Sequence, residues 1–338
     1  MNNNLYGSPE YLCLPKDTLD LFERKQELSK EIDNFAFWYE KAVHFIQVEK
    51  NKPDKMIPFS AILYRKNIPD FENLDNWGRP ERTYNFLDQS TFSFKKDQLI
   101  ELLQGLKEKQ ASQAAGLGTD TCHKALQCDG ALVAGLGKES VYETSMTLHH
   151  TYGIPYLPAS NIKGICRSWV IYSRFENDPA RAMKNPGFAS LFGGDNKTHD
   201  KKARKGNILF LEAFPASPPT LQIDMMNPHH SKYYGDSKSR LYPHDHDSPI
   251  PVYFMTLGEK DVNNEPLQFN FHLISTKDIK LSSSQELLSL GQNPEGAWLP
   301  GLSPDSNLAD LAMYYLSEAL EEQGIGAKTA LGYGFFTA

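Results

Sequence analysis

The sequence predicts an α+β fold over the C-terminal two-thirds of the chain, because segments with strand and helix periodicities alternate there. Ala131–Leu136 is the first strand candidate, and a helix with apolar residues at helical spacing follows from Ser160 to Phe175. Asn207–Phe214 is a short apolar run that suits a buried strand. Leu267–Ile274 alternates apolar and polar side chains, which is typical of a half-buried strand.

A second helix and a last strand complete this order. Apolar residues recur at helical spacing from Leu308 to Ala319, and Gly324 follows as the residue that ends the helix. Gly332–Thr337 is an aromatic, strand-like end. The order strand–helix–strand–strand–helix–strand is that of a ferredoxin-like fold, which RNA-recognition motifs share and whose nucleic-acid side is the sheet or its edges.

The N-terminal third has a different character. Thr18–Val48 has the pattern of a charged amphipathic helix, and Lys96–Lys109 is a second helix candidate. Several prolines interrupt the stretch between them. We therefore expect residues 1–115 to form a largely helical elaboration packed on a main domain of residues 116–338.

The composition excludes several protein classes. Among the 338 residues, 40% are hydrophobic and 12% aromatic, which supports a packed core rather than disorder. The chain has no apolar run of about 18 residues and does not begin with a signal-peptide pattern, so we expect a cytoplasmic protein without a membrane partner. Four scattered cysteines do not form a disulfide framework.

The charge is unevenly distributed along the chain. A net charge of −7 disfavours nucleic acid as a partner of the whole surface. Residues 155–205, however, contain ten Lys and Arg against four Asp and Glu, whereas residues 206–338 contain seven against sixteen. A local basic patch can bind phosphates while the acidic remainder repels them.

A loop of four glycines and one lysine occupies residues 324–334. Glycine permits positive φ and a close approach of another chain, so the N–H groups of such a loop can line a phosphate backbone. The loop is not a P-loop, because its lysine follows Ala327 and too few residues remain for the helix that must come next. A plain turn is the alternative interpretation.

The helix after residue 158 begins with a second phosphate-binding pattern. Ser160 is a candidate N-cap, and Lys163, Arg167 and Arg174 fall within about 40° of one another on a helical wheel. A lysine in the first turn opposes the helix dipole unless an anion binds there. A solvated basic surface is the alternative interpretation.

These patterns together resemble the RAMP superfamily, the repeat-associated proteins of CRISPR systems, and within it the Cmr-type subunits at the head end of type III-B effector complexes. The resemblance covers roughly residues 116 to 338, and the chain has Ala159 where the family usually has glycine. The matching stretches are Leu132–Gly137, Tyr152–Pro158 with Ser160 and Lys163-Gly164, Glu212–Pro215, Asp224–His229 and the terminal glycine loop.

The resemblance implies a non-catalytic RNA-binding subunit with no cofactor and no metal. Its partners would be guide RNA, with target RNA as a second RNA partner, and other RAMP subunits of the same complex. Phosphate charge, backbone donors and a stacking platform for bases are the roles that we assign to its residues. The predicted RNA-binding residues are Ser160, Asn161, Lys163, Arg167, Gly324, Gly326, Lys328, Thr329 and Tyr333.

The main alternative function is a metal-independent RAMP endoribonuclease that processes repeat RNA. Some relatives of this kind use a histidine as acid or base, and His149-His150 is the candidate pair here. No clear acid–base partner stands beside the pair in the sequence, so we interpret it as structural or as packing against RNA. A protein–protein cap that binds no RNA is the other alternative.

Two further groups of residues contain side chains of the types that bind metal ions. Cys122, His123 and Cys128 lack the usual spacing of a zinc site. A histidine- and aspartate-rich stretch contains several prolines and is therefore interpreted as a structural or partner-binding loop, with a divalent-metal site as the alternative. Its residues are Asp224, His229, His230, Asp236, His244, Asp245, His246 and Asp247.

Overall fold

The computed structural model describes residues 10–12, 44–47, 56–59, 69–74, 80–82, 96–137, 144–194, 204–230, 233, 242, 249 and 252–337. The chain divides into two compact units. The first unit comprises residues 1–95, 135–154 and 221–256, and the second comprises residues 96–134, 155–220 and 257–338. None of the helices in the described ranges is long and apolar enough to cross a bilayer.

Strands and helices alternate through the described residues. The helices are α1 (Lys96–Leu117), α2 (Ala159–Phe175), α3 (Pro179–Lys184), α4 (Pro186–Phe192), α5 (Gln285–Gly291) and α6 (Leu308–Glu322). The strands are β1 (Glu10–Leu12), β2 (His44–Gln47), β3 (Met56–Phe59), β4 (Pro69–Leu74), β5 (Pro80–Arg82), β6 (Asp120–Asp129), β7 (Gly193–Gly194), β8 (Arg204–Lys205), β9 (Ile208–Phe210), β10 (Phe214–Pro215), β11 (Pro219–Met226), β12 (Val252–Asp261), β13 (Gln268–Ser275) and β14 (Phe335–Thr337).

The described part of residues 1–95 consists of short strands. β1, β2 and β3 form an antiparallel sheet, and β4 pairs with β5. The helix predicted over Thr18–Val48 lies mostly outside the described residues, and its last residues are strand β2 instead. The expected boundary at residue 115 lies within α1, and α1 packs on the sheet of the second unit.

The second unit is built on an antiparallel sheet with the strand order β10-β13-β6-β14, and β9 pairs with the far end of β13. β13 and β6 form the long central pair, in which His272 lies opposite His123. β14 adds to the other edge of β6 over three residues. The predicted mixture of helices with an antiparallel sheet is therefore confirmed.

Helices cover both faces of this sheet. Lys124 of β6 donates to Ser317 of α6 at 3.3 Å, so even-numbered residues of β6 point toward α6. His272 and its cross-strand partner His123 stack on each other on the face of the sheet that points away from α6, near α1. The pKa of His272 is lowered to about 4, mainly because the side chain is buried. The charges of His123 and of the α1 residue Lys107 lower this pKa further. α1 and α6 therefore lie on opposite faces.

α2 packs on α6 through a buried stripe. The Cys166 thiol donates to the carbonyl of Ala312 at 3.6 Å, and the Trp169 indole donates to Glu318 at 3.1 Å. Both Cys166 and Ala312 are fully buried. Burial also raises the pKa of the Cys166 thiol, so this side chain acts as a small apolar residue.

Three of the four helix predictions are confirmed, whereas two strands differ from the sequence prediction. α2, α6 and α1 lie where their periodicities placed them, although α1 continues to Leu117. The first strand of the sheet is β6 rather than Ala131–Leu136, where only Leu132 forms an isolated bridge. The run Asn207–Phe214 is divided into β9 and β10.

Candidate nucleic-acid interface

An open cleft of about 730 Å³ lies between the first half of α2 and the glycine-rich loop. The two sequence patterns predicted to bind phosphate, which are more than 150 residues apart, therefore share one concave surface. The lining residues are Ser160, Asn161, Gly164, Ile165, Ser168, Glu322, Gln323, Gly324, Ile325, Gly326, Thr329, Ala330 and Phe335.

α2 enters this cleft with an N-terminus that no side chain caps. The N-cap residue is Pro158, not the predicted Ser160, because Pro158 is extended and helical geometry begins at Ala159. The carbonyl of Pro158 accepts the N–H groups of Asn161 and Ile162. The N–H of Ser160 has no hydrogen-bond partner among the described residues, and it is available to an anion.

The glycine-rich loop has a fixed shape. Gly324 ends α6 as predicted, with φ of 68°, and its N–H donates to Ala319 at 3.1 Å. Ile325 donates to the carbonyl of Gly334 at 2.8 Å, which closes the base of the loop. The N–H groups of Gly326 and Thr329 have no partner among the described residues and lie at the cleft.

A segment of the chain that was predicted as a strand holds this loop in place. Ala327 donates to the carbonyl of Val133 at 2.9 Å, and Gly334 donates to that of Ala131 at 2.9 Å. A Cβ at Gly326 would lie 2.4 Å from the Val133 oxygen, so only glycine permits this approach. Two stretches that carry the family resemblance are therefore one structural element.

The structure brings five of the nine predicted binding residues to the cleft lining. These five are Ser160, Asn161, Gly324, Gly326 and Thr329. The other four lie outside the lining, and they are Lys163, Arg167, Lys328 and Tyr333.

Arg167 has a structural contact of its own. Its guanidinium carbon lies 5.5 Å from the ring centroid of Phe188 in α4, a cation–π distance. Lys163 and Arg167 share a flank of α2 whose mean direction is turned about 80° from that of the cleft-lining positions 160, 164 and 168. Lys328 takes a left-handed conformation with φ of 61°, beside Thr329 of the lining.

Sequence reasoning missed Gly164 and Ser168, which line the cleft on α2. Together with Ser160 they are small residues at spacings of four, a pattern that keeps one helix face low and open. This spacing is the signal in the sequence that would have found them.

The described lining of the cleft offers hydrogen-bond donors rather than a pair of ionisable groups for acid–base catalysis. Among the described residues of its lining, Glu322 is the only ionisable side chain, and it is exposed. Hydroxyl, amide and backbone N–H groups form the rest of its polar surface. Such a surface binds anions and ribose hydroxyls, and its single carboxylate lowers affinity for phosphate.

The cysteine candidates do not meet as a metal site. Cys122 and Cys128 point to the α6 face of β6 and are six residues, or about 20 Å, apart along the strand. His123 points to the opposite face. Burial raises the pKa of Cys122 to about 11 and that of Cys128 to about 12, so both remain thiols.

The histidine pair of the nuclease alternative, which we interpret as structural or as packing against RNA, holds a turn in the first unit. The Nδ1 atom of His149 accepts the N–H groups of Thr151 and Tyr152, each at 3.3 Å. Its ring also stacks on that of Tyr152, with centroids 4.4 Å apart. These contacts give His149 a structural role at the turn.

The histidine- and aspartate-rich stretch falls mostly outside the described residues. Asp236 and the run 244–247 belong to that part. Asp224, His229 and His230 are described, and the rings of the two histidines lie 6.4 Å apart. In the described ranges, no three His, Cys, Asp or Glu side chains are arranged to hold a metal ion.

Comparison with known proteins identifies a family model and curated relatives. The model of the RAMP superfamily matches residues 125–337. CRISPR system Cmr subunit Cmr6 of Pyrococcus furiosus is 28% identical over 250 residues, which cover 60% of this chain and 64% of that protein. The subunit Cmr6 of Saccharolobus solfataricus is 24% identical over 154 residues, covering 44% and 48%. The chain thus spans less than two-thirds of the length of these curated relatives.

One solved structure similar to this chain is the crystal structure of Cmr6 from Pyrococcus furiosus. It is 25% identical, covers 64% of this chain and 97% of that chain, and has a TM-score of 0.33.

Proposed function

The chain belongs to the RAMP superfamily, and we propose that it is a non-catalytic RNA-binding subunit of a type III-B CRISPR effector complex. In this role it holds guide RNA, contacts target RNA as a second RNA partner, and docks on other RAMP subunits in antiviral defence. The observation that carries the proposal is the cleft where the start of α2 and the glycine-rich loop meet. We expect such a subunit to act in the cytoplasm.

The donor geometry of the cleft supports RNA binding. Three backbone N–H groups, those of Ser160, Gly326 and Thr329, have no protein partner in the described ranges. Phosphate oxygens accept hydrogen bonds from such groups at helix N-termini and in glycine-rich loops. Lys163, Arg167 and Lys328 lie beside these elements and supply charge to the same strand of RNA.

The character of the lining supports a non-catalytic role. General acid–base cleavage of RNA needs two positioned groups that exchange protons. Glu322 is the only ionisable side chain among the described lining residues, so this cleft offers no pair.

We assign the sheet of the second unit to the ferredoxin-like arrangement. Its order β10-β13-β6-β14, with α2 after the first strand and α6 after the third, supports this assignment. Residues 1–95 are then an addition to this RAMP domain.

Native mass spectrometry of the tagged chain, purified from cells that express its neighbouring genes, tests the function. We expect a large assembly of defined mass that contains a guide-length RNA and other RAMP subunits. A lone chain, bare or carrying only processed repeat fragments, would refute the proposal and favour the nuclease alternative at His149 and His150.

The double variant Lys163→Glu/Lys328→Glu tests the site. We expect its dissociation constant for single-stranded RNA to rise at least tenfold at about 150 mM salt, with the salt slope of log K smaller by about 1.4, because each neutralised phosphate contributes about 0.7. Fluorescence anisotropy across a salt series measures both quantities. Lys107→Glu/Lys109→Glu is the matched control, since it reverses two charges on α1, on the opposite face of the sheet. Equal losses in the two double variants would contradict the site.

A further inference from the structure

A second concave surface lies at the other end of α2. It has a volume of about 440 Å³ and is bounded by the end of α2, by α3, by the start of α4 and by α5. Three cationic side chains, those of Arg174, Arg181 and Lys184, line it. No carboxylate belongs to the described residues of its lining. We call this surface the basic pocket.

Arg174 is a fixed cation in the basic pocket. Its Nη2 atom donates to the carbonyl of Gln292 at 2.7 Å and also to that of Ser289. Its Nη1 and Nε atoms make no hydrogen bond to described residues. The guanidinium is thereby held in one orientation with N–H groups left for a ligand oxygen.

Arg181 and Lys184 are exposed cations beside it. Arg181 pairs with Glu176 at 2.9 Å, but the two side chains are 58% and 84% exposed, so a stronger anion can replace this pair at little cost. Lys184 is exposed and makes no ion pair within the described ranges. The Arg181–Glu176 pair does not explain why three cations line one pocket.

Compensation of helix dipoles explains only part of this arrangement. Arg181 and Lys184 lie in the last turn of α3, where cations are favourable, but α3 has six residues and its dipole is small. Arg174 lies in the last turn of α2 and donates to two carbonyls at the C-terminal end of α5, so it also compensates helix ends. Helix ends do not explain why these three cations, from two different helices, line one pocket without a carboxylate among its described residues, whereas a bound anion does.

The basic pocket lies at the other end of α2 from the cleft, on the flank that carries Lys163 and Arg167. Asn161 and Arg174 are thirteen residues apart, which is about 20 Å along the helix axis. Around the helix Arg174 lies within about 20° of Lys163 and of Arg167, so these cations form one line from the start of α2 to its end. An extended polyanion in the cleft can therefore reach the basic pocket, and the segment 155–205 is the basic part of an otherwise acidic chain.

We propose that the basic pocket binds backbone phosphates of the single-stranded RNA whose neighbouring nucleotides occupy the cleft. This inference rests on the proposed function, because it extends the same RNA path. Arg174 supplies an oriented donor to a phosphate oxygen, and Arg181 and Lys184 close over the phosphate from the exposed side.

The full-length variant Arg181→Ala/Lys184→Ala, titrated with a fluorescein-labelled single-stranded RNA, tests the pocket. Two lost phosphate contacts predict a salt slope smaller by about 1.4 and a dissociation constant about tenfold higher at about 150 mM salt. Lys107→Ala/Lys109→Ala removes the same charge from α1 and is expected to change neither value. Both substituted pocket residues are exposed, so the melting temperature should equal that of the unaltered protein.

The remaining outcomes overturn the proposal. If Arg181→Ala/Lys184→Ala binds RNA like the unaltered chain while Lys163→Glu/Lys328→Glu does not, the basic pocket is wrong and the proposed function stands. If RNA affinity is kept but a partner protein is lost from the purified assembly, the pocket binds an acidic protein segment instead. If the unaltered chain and its assembly bind no RNA, both proposals fail.

Discussion

Gly164→Glu is expected to lower the affinity of the full chain for single-stranded RNA by about ten- to hundredfold without unfolding the protein. Gly164 lines the cleft, and a Cβ at this position meets no heavy atom within 4 Å outside its own helix, so a larger side chain fits. The added carboxylate would face phosphate at short range, and this repulsion amounts to roughly 1–4 kcal/mol at 4 Å. A tenfold change corresponds to about 1.4 kcal/mol. Fluorescence anisotropy with labelled RNA measures the affinity.

Gly164→Ala is the matched control for this variant. Alanine stabilises an exposed helix position by about 0.5–1 kcal/mol relative to glycine, so its melting temperature should rise slightly while RNA affinity stays within about twofold. Glu322→Gln provides the reverse test, because it removes the carboxylate of the lining and should tighten binding. Weak binding in both Gly164 variants would mean that the open helix face, and not charge, is what RNA requires.

Helices α2 and α6 were predictable because their tertiary contacts agree with their local patterns. α2 and α6 each bury one stripe and meet through Cys166 and Ala312, as the apolar spacing indicates. Strand β6 was not predicted, because its sequence lacks the apolar pattern of a buried strand. Only Leu126 and Cys128 are buried along its ten residues, and the rest is polar or exposed. A strand in which polar residues alternate with so few apolar ones resembles a loop in its sequence.

The site was half predictable for a related reason. Residue types alone indicate that a helix start and a glycine-rich loop can bind phosphate, but they do not show which face of the helix meets the loop. A helical wheel grouped Lys163 with Arg167, yet α4 occupies that flank and its Phe188 lies beneath the Arg167 guanidinium. The cleft lies on the neighbouring face, where Gly164 and Ser168 keep it open.

The loop owes its shape to backbone contacts that sequence patterns do not express. Ala131 and Val133 accept hydrogen bonds from Gly334 and Ala327, and no side chain takes part in either bond. An apolar stretch such as Leu132–Ala134 therefore reads as a strand, whereas its partner is a loop about 200 residues later. The periodicity of side chains carries no information about such pairing.

Gly334→Ala is expected to lower the free energy of unfolding by about 3 kcal/mol. Gly334 has φ of 76°, and a left-handed backbone costs a non-glycine residue about 1–2 kcal/mol. A Cβ here would also lie 2.0 Å from the carbonyl oxygen of Ile325, which adds overpacking of about 1–3 kcal/mol. Differential scanning calorimetry should show a melting temperature lower by about 6–12 °C.

Gly332→Ala separates the two causes of this loss. Gly332 also has a positive φ, of 92°, but a Cβ at this position meets no heavy atom within 4 Å. Its cost is therefore the backbone contribution alone, about 1–2 kcal/mol, and its melting temperature should fall by about half as much as that of Gly334→Ala. Equal shifts in the two variants would mean that the Ile325 carbonyl moves aside freely.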